Sequence, residues 1–218
     1  MTTSAELGMF PLGTVLLPHA TLPLHVFEPR YRALVEACLE GTPEFGVVLI
    51  ERGSEVGGGD TRFDLGTVAR IVRAGRLDDG RYALVTVGAE RLRVLRWLED
   101  APFPRALVER LPAPAAHADD ASLIEGIRAA LVKVVARRTE LGEPAPPVDL
   151  ALADDPIRAG YEAAAAAGLG PLDALELLGI DDAAELLRRL HGMLAGRLEL
   201  LDARLRGARE GGQFDSDS

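Results

Sequence analysis

Cysteine and lysine are almost absent from this chain of 218 residues, which holds one of each, Cys38 and Lys133. A lone cysteine excludes an internal disulfide and a thiolate metal cluster within one chain. Lys133 stands among Leu131, Val134 and Val135 in a predicted helix, where a lysine lays its stem along apolar neighbours and holds its amine in water; it does not read as the base of a Ser-Lys dyad. No stretch approaches eighteen consecutive apolar residues, so no membrane span is expected. The opening MTTSAELGMF lacks a basic region before a long apolar run, so no signal peptide is expected either. Basic residues are outnumbered 24 to 34, giving a net charge of −10 and a pI near 4.9. That balance argues against a protein that grips nucleic acid through its phosphates and against adhesion to anionic lipid. These readings together lead to the expectation of a soluble cytoplasmic protein.

The motifs of several chemistries are missing as well. There is no G-x-x-x-x-G-K-[ST] phosphate loop and no Gly-x-Ser-x-Gly elbow. The glycine cluster Gly57-Gly58-Gly59 is followed by Asp60, whose charge would repel phosphate. The histidines His19, His25, His117 and His191 have neither H-E-x-x-H nor His-x-x-x-His spacing. His19 and His25 would come near Cys38 only if the chain between them folds back; the simpler reading is two ordinary polar histidines at a turn and a strand. No cofactor, metal or catalytic residue is expected.

What is present is apolar pattern, with 48% of residues hydrophobic, enough for a core. Residues 9–111 read mostly as strand. Phe45–Ile50 is a short apolar run, Leu65–Gly75 is rich in β-branched residues, and Asp78-Asp79-Gly80 is a hairpin signal before Arg81–Gly88. Glu90–Glu99 alternates at Leu92 and Val94 and then slips register, as at a bulge. Pro104–Leu111 closes the set. Pro112–Asp120 is a linker, and residues 120–207 are helical. Ser122-x-x-Glu125 has the form of a capping box, and Asp155-Pro156 starts a helix ending near Gly168. Pro171–Leu178 is a short helix stopped by Gly179. Asp181-Asp182 caps a long one, with leucines at 187, 190, 194, 198, 201 and 205, reaching about Arg206. Residues 208–218 have the composition of a disordered tail. The fold class is α+β, a small barrel or folded sheet with one early helix followed by a helical bundle.

The early helix sits in LPLHVFEPRYRALVEACLEG (Leu22–Gly41). Leu22, Leu24 and Val26 alternate as a strand does. Tyr31, Leu34, Val35, Cys38 and Leu39 then fall on one face of a helix. Pro29 suits the first helical position, Glu28 the cap beside the positive end of the dipole, and Gly41 a left-handed stop. Glu28 and Arg30 are two residues apart and would not face each other on a helix, so the trio Glu28-Pro29-Arg30 is expected to be a joint rather than a catalytic pair.

Several segments, in order, resemble one known family. Phe10-Pro11-Leu12, Leu17-Pro18, Leu22-Pro23-Leu24 and Phe27-Glu28-Pro29-Arg30-Tyr31 are similar to the opening of the Lon protease N-terminal substrate-binding domain. Phe45–Ile50, Leu65–Ile71, Asp79–Gly88 and Glu90–Leu95 match its later elements in order. One departure is His19, where the family often has glycine. The resemblance implies a PUA-like β-rich lobe followed by a helical bundle, and recognition of polypeptide rather than catalysis. With neither the family's ATPase nor its protease motifs in the chain, it implies a stand-alone, non-catalytic module whose partners are unfolded or extended polypeptide segments. The rival function is a small-molecule or enzymatic pocket in the same fold.

The side chains singled out for peptide binding, or for fixing the joint, are Glu28, Arg30, Tyr31, Phe63, Trp97 and Phe103. The three aromatics last named lie near strand ends, where they would line a groove if exposed and fill the barrel if buried. The leucine stripe of the last helix reads either as the inner face of the chain's own bundle or as a homodimer seam.

Overall fold

Alternation in the first hundred residues produces strands, and the computed structural model, which describes residues 4–52, 61–115 and 120–214, contains six of them. In chain order the elements are β1 (Ser4–Leu12), β2 (Thr21–Val26), α1 (Pro29–Glu40), β3 (Glu44–Arg52), β4 (Thr61–Arg76), β5 (Tyr82–Trp97) and β6 (Arg105–Leu111). They are followed by α2 (Asp120–Glu140), α3 (Pro156–Ala167), α4 (Pro171–Leu178) and α5 (Ala183–Phe214). The glycine cluster at 57–59, Asp60 and His117 lie outside the described residues.

The strand order is β2-β5-β4-β3-β1-β6, and β5 also pairs with β6. That extra pairing closes five strands into a PUA-like barrel and leaves β2 as an appendage. β5 is long enough to serve two neighbours along one edge: Tyr82–Val87 pair with β2, and Arg91–Trp97 with β6. The register shift between Val94 and Arg96 is the bulge at which the sequence alternation slips.

Period-2 alternation sorts the strand residues into two cores. Met9, Val48, Val68, Leu92, Val94, Ala106 and Val108 form one cluster. Their sequence neighbours Phe10, Val47 and Ala69 turn to the other face and join Tyr31, Leu34, Val35 and Cys38 of α1 in the second. Strands buried on both faces read as continuous apolar runs, which is why Phe45–Ile50 is apolar throughout.

The chain divides into two compact units. One contains the described residues up to Ala113 together with Ala174–Gly179; the other contains Pro114–Asp173 and the chain from Ile180 onward. A plain cut at the 112–120 linker would have given Ala174–Gly179 to the helical part. In the helical unit α2 packs on α5 and α3, burying Ile127, Leu131, Val134, Tyr161, Leu187, Leu190, Leu194 and Leu201. Leu198 and Leu205 are half-buried, so the leucine stripe is chiefly an inner face.

Local signals behaved unequally. Asp155 caps α3, accepting from Arg158 N at 2.8 Å, and Gly168 ends it with φ 66°. Asp182 caps α5 through Glu185 N at 2.8 Å. Ser122, in contrast, is the third residue of α2 and not its cap, because the helix starts at Asp120. Gly41 ends α1 with φ −119°, not left-handed, since the chain passes directly through Thr42-Pro43 into β3. Leu39, on the expected apolar stripe, is 47% exposed. The last helix continues to Phe214 instead of stopping near Arg206, with no proline after Arg206 to end it.

A joint, a cleft and an open strand edge

Glu28 is the N-cap residue of α1, with extended backbone (φ −67°, ψ 137°), and its side chain makes no capping hydrogen bond. Instead its carboxylate accepts from Arg30 Nε at 3.1 Å. The spacing rule for helices did not apply because Glu28 lies outside the helix, where the strand-like turn swings its side chain back over the first turn. Arg30 also lies over the Tyr31 ring, 4.4 Å from its centroid. Tyr31 in turn stacks on Phe10 of β1, with centroids 4.0 Å apart and planes 10° from parallel. Phe10 leans on Phe45 of β3 at 5.8 Å. Carboxylate, guanidinium and three rings thus run from the joint into the core, with Tyr31 packing the start of α1 on β1.

Beside this stack is a cleft of about 210 Å³ lined by Phe10, Leu12, Pro23, Leu24, His25, Val26, Phe27, Glu28 and Tyr31. Seven of the nine lining residues are apolar, with His25 and Glu28 as the polar side chains, and polar atoms make up a substantial part of the exposed wall. Phe27 is 55% exposed at the cleft rim.

Among the described residues β2 has a strand neighbour, β5, on one side only. Gly88 N donates to Ala20 O at 2.9 Å, and the register continues as Leu22↔Thr86 and Leu24↔Leu84. In an antiparallel ladder bonding alternates, so Leu22, Leu24 and Val26 direct their main-chain groups at β5, while Thr21, Pro23 and His25 direct theirs outward. Thr86 Oγ1, donating to Leu22 O at 2.9 Å, agrees with that phase. The middle of the outward edge is therefore Pro23, which has no N–H to offer. An edge blunted in this way resists pairing with a second chain.

The other candidates are elsewhere. Trp97, at the end of β5, is half-buried against the Met9–Leu92 cluster, with Arg62 4.4 Å from its ring centroid. Phe103 packs on the opposite core. A Cβ at Gly8 would collide with Leu34 and crowd Phe103. Phe63 is half-buried within β4. The structure therefore brings Glu28 and Tyr31 into the cleft wall, sets Arg30 immediately behind, and leaves Phe63, Trp97 and Phe103 outside the lining. Phe10, Leu12, Pro23, Leu24, His25, Val26 and Phe27 were not singled out from sequence. The signal that could have found Phe27 is its place just past a strand whose apolar alternation already ends at Val26.

His19 has φ 65°, the left-handed region, and its N–H donates to Gly88 O at 2.8 Å. The turn demands the conformation for which glycine is the usual solution; histidine is among the non-glycine residues that tolerate it. Cys38 is buried, its Sγ donating to Glu44 O at 3.2 Å. Burial pushes its thiol up to about 11. Among the described residues no group of three or more His, Cys, Asp or Glu could hold a metal ion, and no helix is long and apolar enough to cross a membrane.

Residues 6–196 match the family described as the ATP-dependent protease La (LON) substrate-binding domain. The chain belongs to that family. A curated relative, Lon protease 2 of Herpetosiphon aurantiacus, is 28% identical over 207 residues, which cover 92% of this chain and 25% of that protein. The chain thus spans about a quarter of the length of the curated relative. Among solved structures, the Lon N-terminal domain protein from Xanthomonas campestris is 29% identical with a TM-score of 0.59 and covers 88% of this chain and 98% of its own. The N-terminal domain of the Mycobacterium avium complex Lon protease, 20% identical with a TM-score of 0.64 and the same coverages, shares the fold.

Proposed function

We propose that this Lon-family domain is a non-catalytic module that holds extended or unfolded polypeptide segments, and that the cleft between β1, β2 and the start of α1 receives one bulky apolar side chain at a time. The observation that supports the reading most directly is the cleft's size and lining. Small-molecule sites are commonly about 300–1,000 Å³. A dry apolar cavity of about 150 Å³ is enough for one benzene ring. At about 210 Å³, this cleft suits one side chain better than a metabolite. The exposed Phe27 on its rim adds apolar surface for the residues flanking that anchor. Pro23 limits how much the β2 edge contributes by strand addition, so affinity rests on side-chain burial, about 25 cal/mol per Å².

Fluorescence anisotropy with labelled, denatured model proteins and with their folded forms tests the reading. The denatured forms are expected to bind more tightly, and Phe27→Ala is expected to weaken them several-fold. Equal affinity for folded and denatured clients would sink the proposal. A metabolite that raises the melting temperature in a thermal-shift screen would favour the small-molecule reading instead.

A further inference from the structure

Arg91 of β5 is 2% exposed. A guanidinium withdrawn from water is costly unless its donors are well matched, so its partners show what the fold is using it for. Nη1 donates to Leu178 O at 3.0 Å and Nη2 to Pro112 O at 2.6 Å. Leu178 is the last residue of α4, where carbonyls lack helical partners and a cation meets the negative end of the dipole. Pro112 follows the last residue of β6. Those two carbonyls stand immediately before the two points at which the chain passes out of the β unit, after Ala113 and after Gly179. Beyond them the same two segments run side by side, forming a parallel bridge between Ala115 and Asp182. α4 has eight residues, too few to be stable as an isolated helix. Its end is held in the β unit, where a Cβ on Gly179 would lie 3.4 Å from Leu65 Cδ2.

We propose that Arg91 is a clasp, one buried guanidinium whose rigid fork fastens both exits from the β unit so that they open together or not at all. The planar spacing of Nη1 and Nη2 permits one residue to hold two carbonyls from segments 66 positions apart in sequence, Pro112 and Leu178. A lysine, with one ammonium on a flexible stem, cannot reproduce the fork.

Hydrogen exchange on the whole chain tests this, independently of what the cleft binds. In Arg91→Lys, exchange at Ala113 and Ala115 and at Leu177–Ile180 should accelerate together by about tenfold or more, the size expected for losing a charge-assisted hydrogen bond. Amides of β1 and β3 should be unchanged. Acceleration of one segment without the other, of neither, or of the whole barrel equally would overturn the clasp. In the unaltered protein the two sets of amides should share one opening free energy and one denaturant dependence; two distinct values would also overturn it, and this measurement stands even if the variant fails to fold.

Discussion

Tyr31 and Phe27 are both aromatic residues of the joint, one buried and the other exposed. Tyr31 is 3% exposed and stacked on Phe10, so Tyr31→Ala should cost about 3–5 kcal/mol in urea denaturation, as truncation of a buried ring does. Phe27 is 55% exposed, so Phe27→Ala should change stability by less than about 0.5 kcal/mol, and its effect should fall on binding alone. Cys38 gives a chemical test. A thiol raised from 9.0 to about 11 by burial is neutral at pH 8 in the folded protein, so a thiol reagent should label it only as fast as the barrel opens. The sign of the pH dependence follows. Below pH 9.0 the thiol is protonated in both folded and unfolded chains, and its contribution is fully present. Between pH 9.0 and about 11 the unfolded chain ionises first and stability falls. Cys38→Ala should flatten that alkaline decline in denaturation curves.

Among the elements, β3, β4 and β6 are tied by one carboxylate. Glu44 accepts from Arg110 Nη2 at 2.6 Å and from Arg70 Nε at 3.0 Å, and its side chain is 8% exposed. Burial would raise its pKa, but the hydrogen bonds from Arg110 and then Arg70 outweigh that and hold the carboxyl below its ordinary range. Such a group stabilises at pH above its unfolded value, and the contribution is lost as pH falls through the folded value. Glu44→Gln should therefore cost about 1–2 kcal/mol at pH 7, below the value for a wholly buried pair because both arginines are well exposed. The difference from the unaltered protein should shrink in acid denaturation. The β2 edge allows the reverse experiment. Pro23→Val restores an outward N–H in the middle of the β2 edge, and light scattering should detect stronger concentration-dependent association than in the unaltered protein.

For the molecule as a whole, charge and apolar surface make separable predictions. With a net charge of −10 and an apolar cleft, client binding should change by less than about twofold between roughly 50 and 500 mM salt, since burial of apolar surface is not screened. Binding that falls steeply with salt would instead indicate contacts made through charge.

Much of this was legible in the residues. Alternation placed the strands, Asp155-Pro156 and Asp182 placed two helix starts, and the slip after Val94 placed the bulge, because each depends on contacts a few residues long. The Glu28–Arg30 pair was misjudged from spacing, since the rule presumes that both residues are inside a helix. The cleft was harder to see. Phe10, Pro23 and Phe27 are brought together by β1 and by a strand that pairs with β5 about sixty residues later, and no local period records such a meeting. By itself the sequence determined the elements, their order and the α+β class, through side-chain period, caps and turns. The tertiary structure alone decided that β5 would serve two neighbours, that β2 would be left with an open edge, and that Arg91 would reach both Pro112 and Leu178. Those outcomes depend on which distant strands close the barrel, and chain closure is a property of the whole fold.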